Sequence, residues 1–231
     1  MGNAASAAYT KGAEVTFGGP RFRTVHRGHY VQDDESVSIF SYTNDTTLSV
    51  AVPEITKHIT ERVQASRQLM GMVNILESEV TSTGIDLIVS EVTPLSSFQG
   101  STDEILIGLF IIGRTLHRLH TSHNLSHNAL SLTSVFVSTE SGDWQLTEEL
   151  CGDFKSAEFL RLLKSATPLL DANYIPPEFT AANAGRTDFS RYPIHARDAF
   201  AFSVLVSHFI AQFRLPVSTY TRATLAKMSN P

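Results

Sequence analysis

The stretch of sequence that decides the fold is residues 119–150, which read LHTSHNLSHNALSLTSVFVSTESGDWQLTEEL. A polar loop contains His127-Asn128-Ala129 and ends at Ser134, and the apolar run Val135-Phe136-Val137 follows it. A second polar turn leads to Glu148-Glu149-Leu150. A polar loop next to a buried strand is a common position for reactive side chains. The order of these blocks therefore bears on both fold and chemistry.

This order resembles the catalytic and metal-binding loops of protein kinases, with the reactive groups replaced. In a working kinase the loop reads H-R-D-x-x-x-x-N, where the Asp accepts the substrate proton and the Asn binds magnesium; a second magnesium-binding Asp follows in D-F-G. Here Ala129 stands in place of the first Asp, Ser134 in place of the Asn, and Glu148 in place of the second Asp. Because Ala129 cannot accept a proton, the resemblance implies a degenerate catalytic site.

Further blocks narrow the resemblance to one family. They are residues 119–120 (LH), 125–128 (LSHN), 134–138 (SVFVS), 142–146 (GDWQL), 175–180 (IPPEFT) and 195–202 (HARDAFAF). Together they closely resemble the Scy1-like pseudokinases, strongly over about residues 116–206 and weakly but collinearly over residues 17–92. The resemblance implies a kinase-like fold that lacks catalysis.

Composition limits the possible classes of protein. The chain has 231 residues, of which 42% are hydrophobic and 18% charged, and this is typical of a globular protein with a sizeable core. Its net charge of -5 gives no electrostatic reason to expect nucleic acid as a partner. The single cysteine, Cys151, excludes an intramolecular disulfide. With no secretory signal recognisable, we expect a cytoplasmic protein.

Patterning divides the chain into two zones. Residues 15–92 alternate short β-prone runs with turn residues, at 30–31, 36–42, 48–52, 72–76 and 85–89, with one helix predicted over 54–70. After Pro94, helical spacing of apolar residues predicts helices over 103–121 and 198–213. We therefore expect an α+β, bilobal kinase-like fold: a flexible leader (1–14), a β-rich N-lobe (15–92) and a partial helical C-lobe (93–231) that is truncated after its central helix.

The resemblance also implies that the nucleotide-binding parts are degenerate. A Gly-rich loop would lie between His26 and Ile39, where only Gly28 occurs and three carboxylates, at residues 33–35, would repel phosphate. The strand lysine would follow a V-A-I-like run, but Val50-Ala51-Val52 is followed by Pro53. Lys57 is a possible displaced substitute. No cofactor is expected.

Other family positions are structural rather than reactive. By resemblance, His127 is the histidine that packs in the core of the catalytic loop, and Asp198 is the residue that holds the backbone amides of that loop. Glu178 takes the place of the A-P-E glutamate, whose usual Arg partner lies late in the C-lobe and is expected to be missing here. Keeping these anchors while losing the reactive carboxylates is typical of a folded scaffold.

The N-terminus carries a lipidation pattern. Met1-Gly2-Asn3-Ala4-Ala5-Ser6 fits M-G-x-x-x-[ST], in which Gly2 takes a myristoyl chain. One such chain gives only weak, reversible membrane binding. The expected location is therefore cytoplasmic and peripheral on membranes, and the family resemblance implies the Golgi or other endomembranes.

Three functional interpretations follow, the third of which is a truncated, unstable product with no activity of its own, and two other site types are set aside. The first is an inactive pseudokinase scaffold whose partners are proteins, by resemblance a cytoskeletal linker or coat-trafficking proteins. The alternative is an atypical kinase with weak residual ATP binding through Glu148 and Lys57. A metal site is not expected, because the histidines spaced along residues 117–127 lack a nearby cysteine and the loop resemblance accounts for His120 and His127. A serine hydrolase is disfavoured by the lack of a G-x-S-x-G turn.

Overall fold

The computed structural model describes residues 8–49, 51–65, 69–153, 155–179 and 195–213, which form an α+β fold with antiparallel sheets and several helices. The strands are β1 (Tyr9–Glu14), β2 (Arg23–Tyr30), β3 (Ser36–Thr43), β4 (Ile75–Thr81), β5 (Gly84–Ser90), β6 (Val92–Pro94), β7 (Val135–Ser138) and β8 (Trp144–Leu146). The α-helices are α1 (Val52–Ala65), α2 (Thr102–Ser122), α3 (Ala157–Ala166) and α4 (Ala196–Phe213).

The larger sheet has five antiparallel strands in the order β1-β2-β3-β5-β4. The strands predicted over residues 36–42 and 85–89 are confirmed as β3 and β5. Residues 9–14 were expected within a flexible leader, and this is corrected by the structure, where they form β1 and pair with β2. The sequence pattern of β1 does not predict a strand, because Tyr9 is its only buried residue.

Helix α1 packs on the larger sheet. It begins at Val52 with Pro53 in its first turn, so the strand predicted over residues 48–52 is wrong. Proline suits this position because its fixed φ is helical and the first-turn N–H that it lacks would have no intrahelical partner. Ile55 and Ile59 are buried in the core that α1 shares with β3 and β5. The helix predicted over residues 54–70 ends at Ala65 within the described residues.

Strands β6, β7 and β8 form a second, smaller antiparallel sheet, against which α2 packs. The helix predicted over residues 103–121 is confirmed as α2, and a capping box of Ser101 and Glu104 fixes its start. Gly108 lies against the Trp144 ring of β8, where an added Cβ would be 2.2 Å from a ring atom. This glycine therefore sets how closely α2 approaches the sheet.

Helix α4 confirms the helix predicted over residues 198–213. Ala201, Leu205 and Phe209 bury one face against α2 and the smaller sheet. Ser207 and His208 are exposed, so α4 is not buried on all sides. None of the helices in the described ranges combines the length and apolar character needed to cross a bilayer.

Candidate functional site

The candidate site is a cleft of about 490 Å³ between the β1–β2 loop and the loop that contains His127. Gly18 and Gly19 line it from the first loop, and Ala129 and Ser134 from the second. Residues 168–171 and Arg197 close another side. The structure therefore brings together the two positions that correspond, by resemblance, to the proton acceptor and the metal-binding Asn.

Asp198, at the start of α4, holds the His127 loop through its backbone. Its two carboxylate oxygens accept hydrogen bonds from the N–H groups of His127 and Asn128, each at 2.7 Å. His120 donates a third bond from Nε2 at 2.9 Å. Burial alone raises the pKa of the Asp198 carboxyl, but the hydrogen bonds from His120 and the Asn128 N–H lower it below its usual value. An ionised Asp198 therefore fixes the path of the loop.

His127 is fully buried and neutral. Its Nε2 donates to the Thr147 carbonyl at 2.7 Å, while Nδ1 accepts from the Ala129 N–H at 3.3 Å. This pairing requires the proton on Nε2, because a carbonyl oxygen can only accept. Burial lowers the pKa of His127, which favours the same neutral form. The ring thus ties its own loop to the strand end before Glu148.

Asn128 completes the loop with a backbone conformation that few side chains tolerate. Its φ of 65° is left-handed, a region in which Asn is enriched. The Nδ2 group donates to the carbonyls of Ser126 and Leu150, at 2.8 and 3.0 Å. Asn128 therefore stabilises the loop through local hydrogen bonds to neighbouring backbone.

Ala129 and Ser134 offer no free reactive group to the cleft. The Ala129 side chain is a buried methyl group. The Ser134 hydroxyl accepts from the Ser131 N–H at 2.9 Å and donates to the Ser131 carbonyl at 3.1 Å. Ser134 therefore stabilises the loop through hydrogen bonds to Ser131, and Ala129 contributes only a buried methyl group.

The inner wall of the cleft is a buried ion pair of Arg23, on β2, with Glu149. Arg23 also donates to the Thr133 carbonyl in the His127 loop. Tyr42 and Thr147 donate to the Glu149 oxygens at 3.3 and 2.6 Å. Burial lowers the pKa of Arg23 to about 10, which still leaves the guanidinium charged near neutral pH. The pair connects the larger sheet directly to the loop.

Three phenylalanines surround the Arg23 guanidinium. Its carbon lies 5.3, 5.7 and 5.4 Å from the ring centroids of Phe17, Phe40 and Phe136. The Phe40 and Phe136 centroids are 4.8 Å apart. Distances of this size allow cation–π attraction. The rings and the ion pair together fill the space between β3 and β7.

The sequence does not single out Arg23 or Glu149. A usable signal was the charged residue at the start of a β-prone run, directly after Phe22 and before Thr24-Val25. A lone buried cation needs a buried anion, and the Glu148-Glu149 pair supplies one. The resemblance to kinases drew attention to Glu148, whereas Glu149 is the glutamate that lines the cleft.

Glu148 and Lys57 lie apart from the cleft. The Glu148 carboxylate faces Arg62 of α1 at 3.6 Å, and burial raises its pKa. Lys57 is exposed and pairs with Glu61 at 3.6 Å on the surface of α1. Neither residue lines the cleft. Lys57 is therefore not positioned as a substitute for the expected lysine.

The glycine loop of the cleft is not where the sequence suggested. Gly18 and Gly19, between β1 and β2, line the cleft. Gly28 instead packs within β2 against the Thr10 carbonyl, and residues 33–35 belong to the β2–β3 turn. Residues 26–39 do not line the cleft, because they belong to β2, the β2–β3 turn and β3.

The remaining predicted positions are outside this network. Glu178 makes no ion pair with the described residues, and Gly2 lies outside the described residues. Within the described ranges no three His, Cys, Asp or Glu side chains are grouped closely enough to hold a metal ion. His120 instead stacks on His195, with ring centroids 3.8 Å apart.

The chain has relatives among curated proteins and similar folds among solved structures, whereas no family model matches it. Over 196 residues the chain is 32% identical to the mouse protein named "Protein-associating with the carboxyl-terminal domain of ezrin", a match that covers 81% of this chain and 24% of that protein. The chain thus spans about a quarter of the length of this curated relative. The crystal structure of Cex1p matches 94% of this chain and 38% of Cex1p, with a TM-score of 0.70 and 17% identity. The chain is therefore related to the ezrin-associating protein and shares a fold with Cex1p.

Proposed function

We propose that this chain is a catalytically inactive, bilobal kinase-like module of the Scy1-like type that acts as a protein-interaction scaffold. In this proposal the larger sheet with α1 is the N-lobe, and the smaller sheet with α2 and α4 belongs to the C-lobe. The strand order and the loop held by Asp198 are consistent with it. The cleft between His127 and the β1–β2 loop then corresponds to the active-site cleft of a kinase.

One observation carries the proposal: the Arg23–Glu149 pair, which is packed against three phenylalanines, lines this cleft. Under the kinase correspondence, β3 takes the place of the strand whose lysine grips the phosphates, and it presents Phe40 towards β7. An aromatic ring and an arginine and glutamate that pair with each other offer no free ligand for magnesium and no free cation for phosphate. Ala129 removes the proton acceptor as well.

The alternative, a kinase with residual activity, has less support. It requires Glu148 to bind magnesium, yet this carboxylate faces Arg62 and burial favours its neutral form. It also requires a cation near the phosphates, but Lys57 pairs with Glu61 on the exposed surface of α1.

A thermal-shift measurement with ATP and magnesium separates the two functions. A ligand at 100 times its dissociation constant stabilises a folded protein by about 2.7 kcal/mol. We expect no change in unfolding temperature for the scaffold, up to millimolar ATP. A saturable increase that requires both ATP and magnesium would favour the kinase and contradict the proposal.

For partners, we propose a cytoskeletal linker protein of the ezrin type, or coat-trafficking proteins, since the mouse relative is named for association with the ezrin C-terminal domain. Purified ezrin C-terminal domain, tested against this chain by calorimetry, should bind with a stoichiometry near one. If no heat is exchanged at high micromolar concentrations, this chain does not bind the ezrin domain. Association with ezrin would then belong to the parts of the relative that this chain does not match.

We further propose that the chain sits on the cytoplasmic face of Golgi or other endomembranes through a myristoyl group on Gly2. Gly2→Ala should move the protein from membrane to soluble fractions in cells. Ala4→Ser serves as a control, because it alters the same segment while keeping both Gly2 and the Ser6 of the lipidation pattern. An unchanged distribution of the Gly2 variant would remove acylation from the proposal.

A further inference from the structure

The outer edge of the larger sheet is strand β4. It pairs with β5 and with no other strand among the described residues. Two large apolar side chains on it are open to solvent: Leu76 is 44% exposed and Val80 is 70% exposed. Exposed sheet edges with apolar side chains are templates for pairing with another extended chain. This edge is distinct from the cleft.

The backbone of β4 has groups available for such pairing. Thr81 and Gly84 are opposite each other across a two-residue turn, which makes them a hydrogen-bonded pair. Hydrogen-bonded and non-bonded pairs alternate along an antiparallel ladder. Val80, opposite Ile85, and Ser78, opposite Leu87, are therefore non-bonded positions. Their N–H and C=O groups point away from β5, towards the open edge.

The two faces of β4 differ in chemistry. Glu77 and Glu79 are both exposed and two residues apart, so they lie on one face. Glu79 accepts a hydrogen bond from the Tyr9 hydroxyl at 2.8 Å, and Glu77 makes no ion pair with the described residues. Leu76 borders a recess of about 210 Å³ whose wall includes Val63. The edge thus combines carboxylates with a recess that is lined partly by apolar side chains.

The carboxylates select the occupant. If two copies of β4 paired antiparallel about Ser78, Glu77 of each would face Glu79 of the other. Like charges directly opposite in a sheet are destabilising. The same repulsion disfavours any acidic strand, whereas a basic side chain opposite either glutamate is favoured.

We propose that β4 binds an extended segment of a partner protein in which basic and apolar residues alternate. The segment adds as a sixth strand through the backbone of Ser78 and Val80. Its basic side chains lie against Glu77 and Glu79, and its apolar side chains lie against Val80 and the recess beside Leu76. This is β-strand addition, in which backbone bonds give affinity and alternate side chains give specificity. The proposal names an interaction surface for the scaffold but does not depend on the state of its nucleotide cleft.

The test uses fluorescent hexapeptides and the whole chain. Lys-Val-Lys-Val-Lys-Val is the probe, and Lys-Lys-Lys-Val-Val-Val has the same charge and composition without alternation. A third peptide repeats the probe sequence with alternate backbone amides methylated, which removes the bridging donors. Anisotropy should give an affinity for the probe about tenfold above that of either control peptide. Equal affinities would mean general attraction to an acidic protein and would overturn the proposal.

Protein variants locate the site. Glu77→Lys combined with Val80→Lys should weaken probe binding about tenfold. Glu35→Lys combined with Val31→Lys makes the same chemical changes at exposed residues of the β2–β3 turn and should leave binding unchanged. Unfolding temperatures of both double variants check that the fold is retained. If the turn variant weakens binding as much as the edge variant, β4 is not the site.

Hydrogen exchange gives a readout that does not depend on mutation. Bound probe should slow exchange of the Ser78 and Val80 amides, while the Glu77 and Glu79 amides, already paired with β5, change little. Sedimentation of the chain without peptide tests whether a second copy of the chain pairs with β4 instead. A dimer that the edge variant dissociates would overturn the proposal in favour of self-pairing. If the probe does not bind while ATP and magnesium leave the unfolding temperature unchanged, only this inference is refuted. The thermal-shift measurement with ATP tests the cleft separately.

Discussion

The two walls of the cleft hold their shape in different ways. The His127 loop is fixed through its backbone, because Asp198 accepts from the amides of His127 and Asn128. The opposite wall is fixed through side chains, by the Arg23–Glu149 pair within its phenylalanine surroundings. Bonds to amides do not depend on which side chains the loop carries. A loop of this kind can keep its conformation while Ala129 replaces a reactive residue.

The backbone-held wall predicts the largest loss of stability. Asp198→Ala should lower the free energy of unfolding by about 4 kcal/mol, because two buried N–H donors and His120 lose their acceptor, each unsatisfied donor costing roughly 1–3 kcal/mol. Urea denaturation monitored by Trp144 fluorescence measures it. Asp143→Ala, at an exposed position, is the control and should change little. A loss below about 1.5 kcal/mol would mean that the loop does not depend on Asp198.

The side-chain-held wall predicts a pattern of non-additivity. Arg23→Met or Glu149→Leu alone should cost about 3 kcal/mol, since each leaves an unpaired buried charge. The double variant should be more stable than either single variant, because an apolar pair of similar volume removes both charges. Denaturation of all four proteins gives the coupling energy. Additive losses would show that the two residues act independently.

The backbone-held wall, through His127, and His58 on α1 together predict a sensitivity to mild acid. Burial lowers the pKa of His127 and His58 below the ordinary value of 6.5. The unfolded chain therefore binds more protons than the folded chain just below pH 6.5, so stability is fully present above this pH and decreases as the pH falls through the folded values. Unfolding free energies between pH 8 and 5 measure the slope. His127→Gln should flatten it, and an unchanged slope would assign the effect to other groups.

The smallest expected effect concerns catalysis. Ala129→Asp places a carboxylate where the proton acceptor would lie in the proposed kinase correspondence, yet we expect no phosphoryl transfer, because the Arg23–Glu149 pair, packed against Phe40, still lines the cleft. A radiolabelled-ATP assay with a general protein substrate is sensitive enough. Ala129→Asn is the matched control for size. Phosphoryl transfer by the Ala129→Asp variant, without transfer by the Ala129→Asn variant, would contradict the interpretation that the side-chain-held wall prevents catalysis.

Local patterns predicted helices α2 and α4 well, because their apolar residues recur at helical spacing over several turns. Short blocks with fixed order drew attention to His127 and Asp198. In the structure the Asp198 carboxylate accepts a hydrogen bond from the His127 N–H. Such features depend on neighbours in sequence or on a recognisable block.

The side-chain-held wall could not be predicted in the same way. Arg23 and Glu149 are 126 positions apart, from 149 minus 23, and no local pattern relates them. Strand β1 has a single buried residue, so periodicity does not reveal it. Because β1 was not predicted from the sequence, the Gly-rich loop was expected within residues 26–39 and the strand lysine after residues 50–52. Tertiary pairing, rather than local preference, decides these elements.

The Asp198 anchor also has a consequence for the order in which the chain becomes structured. Asp198 follows the amides that it binds by 71 and 70 residues. On the ribosome, the His127 loop emerges well before its carboxylate is synthesised, at about 5–20 residues per second. The loop therefore remains without its acceptor for roughly 4–14 seconds. Chaperones that bind nascent chains have that interval in which to act.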